Sequence, residues 1–255
     1  MGAKPLFSGA LLALLLAVVI FDGRSRIASV NAVLVPLFSA LYILAMLFII
    51  LRNAEMFPEA VRRIFTEAFG FRAAAGGFSA SLLSSALRIG VSKGIFSSEA
   101  GMGSSPIAHA AAEGTTPYRQ GLWGVAEIVI DTFIVSTLTA FALLLTGHTE
   151  MDAVFRSAFG PAGSYILLAF LAVFAFASIL SWVFYADGCI GFLFGTKKKA
   201  VSFVFRLLSV LFVFGGVFLS GEAVWAAADI FNALMIFPNL FMLFIYRKEI
   251  KYGVL

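Results

Sequence analysis

The feature that most constrains this chain is a recurring run of about twenty apolar residues, closed each time by a short polar or glycine-containing break. A stretch of roughly 18 or more apolar residues is long enough to cross the hydrocarbon core as a helix. Seven such segments can be marked, at 5–21, 33–51, 77–112, 122–145, 165–193, 201–219 and 224–246. The pattern predicts an all-α polytopic membrane protein with about seven transmembrane segments. Composition agrees: hydrophobic residues make up 61%, charged residues 13%, and the mean hydropathy is +1.01. A soluble domain of this size needs far more charge to cover its surface.

The net charge of +4 suggests nucleic acid at first sight. The basic residues, however, cluster at the ends of apolar runs, where membrane topology uses them, and a nucleic-acid partner is excluded on that ground. The lone cysteine, Cys189, forms no internal disulfide framework and no metal site by itself. The segment 6–20 lacks a signal-peptide cleavage pattern and reads as a mature span. The basic turns 22–26, 197–199 and 247–251 fall on one side if the segments alternate strictly, which predicts a cytoplasmic C-terminus in the cell (inner) membrane. Between the second and third segments, 52–72 mixes charges with Met56, Phe57, Val61, Ile64, Phe65 and Phe69 at helical spacing, the pattern of an amphipathic helix at the interface.

The third segment is the anomaly. Residues 90–113 read GVSKGIFSSEAGMGSSPIAHAAAE. Gly94, Gly101 and Gly103 weaken a helix there and Pro106 removes a donor, which predicts a discontinuous helix over 77–113. At membrane depth a broken helix is tolerated only where its backbone is buried in protein or faces a water-filled cavity. Transporters use such breaks to present backbone groups and half-helix ends to substrate and ion. The plainer reading is that these small residues serve close helix packing.

Residues 90–122 followed by IDTFIVSTLTAFALLLTG (130–147), the helix around 175–194, and WAAADIFNALMIFPNL (225–240) together resemble the alanine/glycine:cation symporter family, often called sodium:alanine symporters. The resemblance implies a LeuT-like fold of two inverted repeats. Residues 1–51 would be the last two spans of the first repeat, 52–76 an interfacial amphipathic helix and loop, and 77–255 the second repeat. The family's Gly-rich N-terminal segment is not in this sequence. The implied function is cation-coupled symport of small neutral amino acids, alanine or glycine, with sodium as coupling ion, a proton as the other option, and no cofactor. A fragment needing the missing helices is the alternative to an active carrier.

By the same resemblance Gly101, Met102, Gly103 and Ser104 line the substrate site, and Phe96 helps to close it. For Met102 and Phe96 ordinary apolar packing is the plainer alternative. Ser178 and Trp182 stand four apart on one helical face, Trp182 as a wall against bulky side chains. Ser178 and Ser181 are candidate sodium ligands, although membrane serines commonly bond back to their own helix. Glu99 lies in the break, and Glu127, Asp131, Asp187 and Asp229 sit in apolar spans, where an ionisable group faces a cavity, a partner or water. These five are read as gating or coupling groups. Glu127 and Asp131 share a face, and Asp187 is placed near water at a helix end. An intramembrane enzyme, the remote alternative, would need a Ser–His pair, an Asp pair or a metal cluster at membrane depth; Glu127 and Asp131 lie on a single helix, and neither histidine has a metal-like partner pattern such as His-Glu-x-x-His.

Overall fold

The structure is a computed structural model that describes residues 3–69, 77–99 and 101–252. The loop expected within 70–76 lies outside the described residues. Among the described residues every regular element is helical. In chain order these are α1 (Ala3–Ile20), α2 (Arg24–Arg52), α3 (Phe57–Phe69), α4 (Gly77–Ser98) and α5 (Ser105–His109). There follow α6 (Pro117–Thr146), α7 (Met151–Phe159), α8 (Gly163–Phe194), α9 (Lys198–Gly215), α10 (Gly221–Ile245) and α11 (Arg247–Tyr252).

Five stretches are long and apolar enough to cross a membrane: α2, α6, the run Met151–Phe194, Lys199–Phe218 and α10. Pro5–Ile20 in α1 is apolar but shorter than such a span, and the segment predicted at 77–112 divides into α4 and α5. Among the described residues, five stretches thus meet the length and composition of a span. The apolar side chains of these stretches lie largely at the protein surface, as in Leu44, Phe133, Phe192, Phe212 and Phe241. That is the expected pattern where lipid, and not water, is the solvent. The chain is an integral, multi-pass membrane protein.

Local sequence explains the ends. Thr116 caps α6 by accepting the Arg119 backbone N–H at 3.3 Å, with Pro117 in the first turn, where its missing donor costs nothing. Within α6 the stretch Val129–Ser136 widens to a π-helix, with Ser136 Oγ donating to the Asp131 carbonyl at 3.0 Å. Pi turns of this kind concentrate at functional sites.

The helices pack into two compact units, Met1–Ala40 with Ala169–Phe231 and Leu41–Leu168 with Asn232–Leu255. In the first unit α1 lies along α9, and Leu16, Ile20, Ile27, Leu180 and Val183 form a closed apolar core. Asn31 of α2 donates to Ser181 Oγ at 3.0 Å and to the Ala177 carbonyl at 3.1 Å, fixing α2 on α8. In the second unit Tyr42 hydrogen-bonds Thr139 at 2.8 Å, Phe57 stacks on Phe141, and the Arg52 guanidinium donates to the Ala158 carbonyl at 2.6 Å at the end of α7.

The corner between α7 and α8 is set by a close backbone approach. A Cβ on Gly163 would stand 2.2 Å from the Phe155 carbonyl oxygen and 2.7 Å from the Arg156 nitrogen. Both are backbone atoms, so the corner itself would have to move. Gly163→Ala is expected to lower stability by about 1–3 kcal/mol, the usual cost of overpacking, read as a lower midpoint of thermal unfolding in detergent.

Candidate functional site

The break between α4 and α5 is built from residues that cannot continue a helix together. Ser98 Oγ bonds back to the Gly94 carbonyl at 2.9 Å in the last turn of α4. Glu99 then takes a left-handed conformation, with φ of 52°. A side chain in that region costs on the order of 1–3 kcal/mol and persists where the surroundings hold it. Here Ser104 Oγ donates to Glu99 Oε2 at 2.7 Å, and the Met102 amide donates to the Glu99 carbonyl at 3.1 Å. Gly101 and Gly103 both have φ of 82°, which glycine alone adopts without strain. Asn239 of α10 donates its side-chain amide to the Gly101 carbonyl at 2.9 Å, taking up a backbone acceptor that the break releases from helix bonding.

A cavity of about 650 Å³ opens beside this loop. Glu99, Gly101 and Gly103 line it from the break, His109 from α5, Gln120 from α6 and Asn239 from α10. Polar side chains line it from several elements, Glu99, His109, Gln120 and Asn239 among them. His109 Nδ1 meets Gln120 Oε1 at 2.7 Å and Nε2 meets Glu127 Oε2 at 3.3 Å, while Ser105 Oγ donates to the same Glu127 oxygen at 3.1 Å. Both ring nitrogens of His109 thus face acceptor oxygens.

The residues singled out from sequence fall as follows. Gly101 and Gly103 line the cavity, whereas Met102 and Ser104 are buried at 2% and 0% exposure, holding the loop from behind, and Phe96 is half-buried on α4. Glu127 and Asp131 take separate partners, since Asp131 accepts from Ser97 of α4 at 2.7 Å. On α8, in the first unit, Ser178 is exposed and Ser181 donates to the Ala177 carbonyl at 3.1 Å. Trp182 meets Tyr185 edge-on at 5.8 Å. Asp187, late in α8, is buried and paired with Arg206 of α9, and Asp229 is exposed on α10. Sequence reading assigned no part to Arg206, Asn239, Gln120 or Asn31. The Pro238-Asn239 pair inside a span was a signal for Asn239, because a helical proline marks a perturbed ladder.

A membrane protein helical throughout its described residues, with an apolar helix interrupted at a glycine loop and a cavity at the break, has the arrangement that membrane transporters use. The sodium:alanine symporter family model matches residues 1–253, so this chain belongs to that family, which is one of transporters and not of enzymes. Relatives include an uncharacterized transporter of Haemophilus influenzae, 38% identical over 96% of this chain and 55% of the relative. The sodium/alanine symporter AgcS of Methanococcus maripaludis is 36% identical over 94% of this chain and 54% of its own length. The amino-acid carrier protein AlsT of Bacillus subtilis is 33% identical over 91% and 50%. The chain spans about half the length of the curated relatives it matches.

Proposed function

We propose that this chain carries the substrate-contacting half of a symporter that moves a small neutral amino acid, alanine or glycine, together with sodium. The observation that carries the reading is the unwound loop over 99–104, open to a cavity and held by Ser104 and Asn239. The backbone at Gly101 and Gly103 receives the substrate carboxylate, because no side chain there keeps the ligand away from the peptide groups. On α8, in the first unit, Ser178 and Ser181 are the candidate hard oxygen donors for sodium. Glu99, Glu127, Asp131, Asp187 and Asp229 serve gating and coupling. Binding of one solute stabilises the state that binds the other, which is thermodynamic coupling, and alternating access follows as two LeuT-like repeats rock. The membrane is the cell (inner) membrane, with the C-terminus in the cytoplasm.

A proton is the second candidate for the coupling ion, favoured by the contact of Glu127 with His109, which lines the cavity. The test is uptake of radiolabelled alanine into vesicles containing this chain, under an inward sodium gradient, beside potassium and proton gradients. Uptake that requires sodium supports the reading, and uptake driven equally by a pH gradient in potassium would replace sodium with a proton as the coupling ion. No uptake by inserted, folded protein would remove the claim of activity for this chain while leaving its family in place.

A further inference from the structure

The first unit contains a second cavity with different chemistry. It measures about 330 Å³ and is lined by Phe21 at the end of α1, Arg24 at the start of α2, Asp187 and Gly191 late in α8, and Lys199, Ser202, Phe203 and Arg206 in the first turns of α9. All four helices contribute a terminus, so the cavity sits at one end of this unit. Its walls carry three cations, Arg24, Lys199 and Arg206, against the single carboxylate of Asp187.

Pairing within the protein does not exhaust these groups. Arg206 Nε donates to Asp187 Oδ2 at 3.1 Å, and its Nη2 donates to the same oxygen. The other carboxylate oxygen, Oδ1, is buried and has no hydrogen-bond partner among the described residues, although the Asp187 side chain is only 2% exposed. Arg24 Nε is likewise buried without a hydrogen-bond acceptor among the described residues, its guanidinium lying 4.2 Å over the Phe184 ring. Buried polar groups are very largely satisfied by protein or water, so one unpartnered acceptor and one unpartnered donor, on two residues that line the same cavity, leave hydrogen-bonding capacity there. Phosphate oxygens match guanidinium donors, and a hydroxyl on the same ligand matches Oδ1. Following Gly191 in sequence, Phe192 and Leu193 are 89% and 70% exposed, large apolar side chains at the end of α8. Basic pockets between transmembrane helices at an anionic membrane surface are suited to lipid headgroups.

We propose that this cavity binds the headgroup of an anionic phospholipid, with its phosphate at Arg24, Lys199 and Arg206 and a headgroup hydroxyl donating to Asp187. Phosphatidylglycerol carries both features.

The test uses the purified chain in phosphatidylcholine nanodiscs, titrated with phosphatidylglycerol and followed by native mass spectrometry and thermal stability. Two variants leave the Asp187–Arg206 pair intact. Arg24→Gln with Lys199→Gln removes charge, and Gly191→Leu fills the cavity from a position whose Cβ meets nothing within 4 Å. The unmodified chain is expected to retain phosphatidylglycerol over phosphatidylcholine and to be stabilised saturably by it. Each variant, monodisperse and equally stable in phosphatidylcholine alone, is expected to lose affinity about tenfold or more. Equal retention of both lipids, or unchanged binding in both variants, would overturn the site. If inorganic phosphate stabilises the chain as much and abolishes the lipid preference, the oxyanion comes from solution and the lipid assignment fails.

Discussion

If the chain carries alanine as proposed, Gly103→Ala is expected to reduce that uptake by more than tenfold while leaving the protein inserted in the membrane. Two costs act at one atom. The backbone at Gly103 has φ of 82°, where an L side chain costs roughly 1–2 kcal/mol. The added Cβ would stand 2.9 Å from Asn239 Oδ1 and 3.0 Å from its Cγ, closer than such contacts tolerate. Asn239 is the residue that holds the loop through the Gly101 carbonyl, so relief of the clash breaks the hydrogen bond that shapes the cavity. At about 1.4 kcal/mol per decade, strain and a lost buried hydrogen bond together exceed one decade in the population of the competent loop. Gly101→Ala separates the two costs. It has the same φ but open space at the Cβ, and it is expected to impair uptake less than Gly103→Ala. Uptake by Gly103→Ala equal to that of the unmodified chain would remove the loop from the mechanism.

What the sequence made legible was local. The apolar runs announce themselves by length, and the break at 99–104 is encoded by residues that resist helix on their own account, Gly101, Gly103 and Pro106. Even so, run length measures the lipid-facing part of a helix and not the helix. Helix α2 begins at Arg24, nine residues before the apolar run that starts at 33, because the polar stretch from Arg24 to Asn31 continues the same helix against α8. The π-helix over Val129–Ser136 leaves no compositional mark. The pairings that shape the break and the first unit join residues far apart in the chain: Asn239 to Gly101 across 138 positions, Asn31 to Ser181 across 150. Helix periodicity tells which face is polar but not which partner it meets, since the register between two helices is set by packing. Glu127 and Asp131 show the same limit. Sequence puts them on one face, but it does not reveal that α5 and α4 present separate hydroxyl donors to them.

Arg206→Met is expected to destabilise the chain more than Gly163→Ala does. Asp187 is buried, Arg206 is 16% exposed, and their contact is a charge-assisted pair through two guanidinium nitrogens. Loss of the cation leaves a carboxylate enclosed by Phe21, Phe203 and the end of α8. Breaking one side of a buried pair typically costs about 3–5 kcal/mol, most of it from the charge left behind. The double variant Asp187→Leu with Arg206→Met discriminates between two origins of that cost. A buried pair replaced by apolar residues of similar volume is often neutral or stabilising, because its desolvation penalty disappears along with its attraction. Thermal unfolding should therefore place the single variant well below the unmodified chain and the double variant close to it. A double variant as unstable as the single one would mean that the pair itself, and not the orphaned charge, holds α8 against α9. Retained stability in Arg206→Met would mean that Arg24 or Lys199 takes over the carboxylate, which their shared cavity with Asp187 permits only if those side chains move.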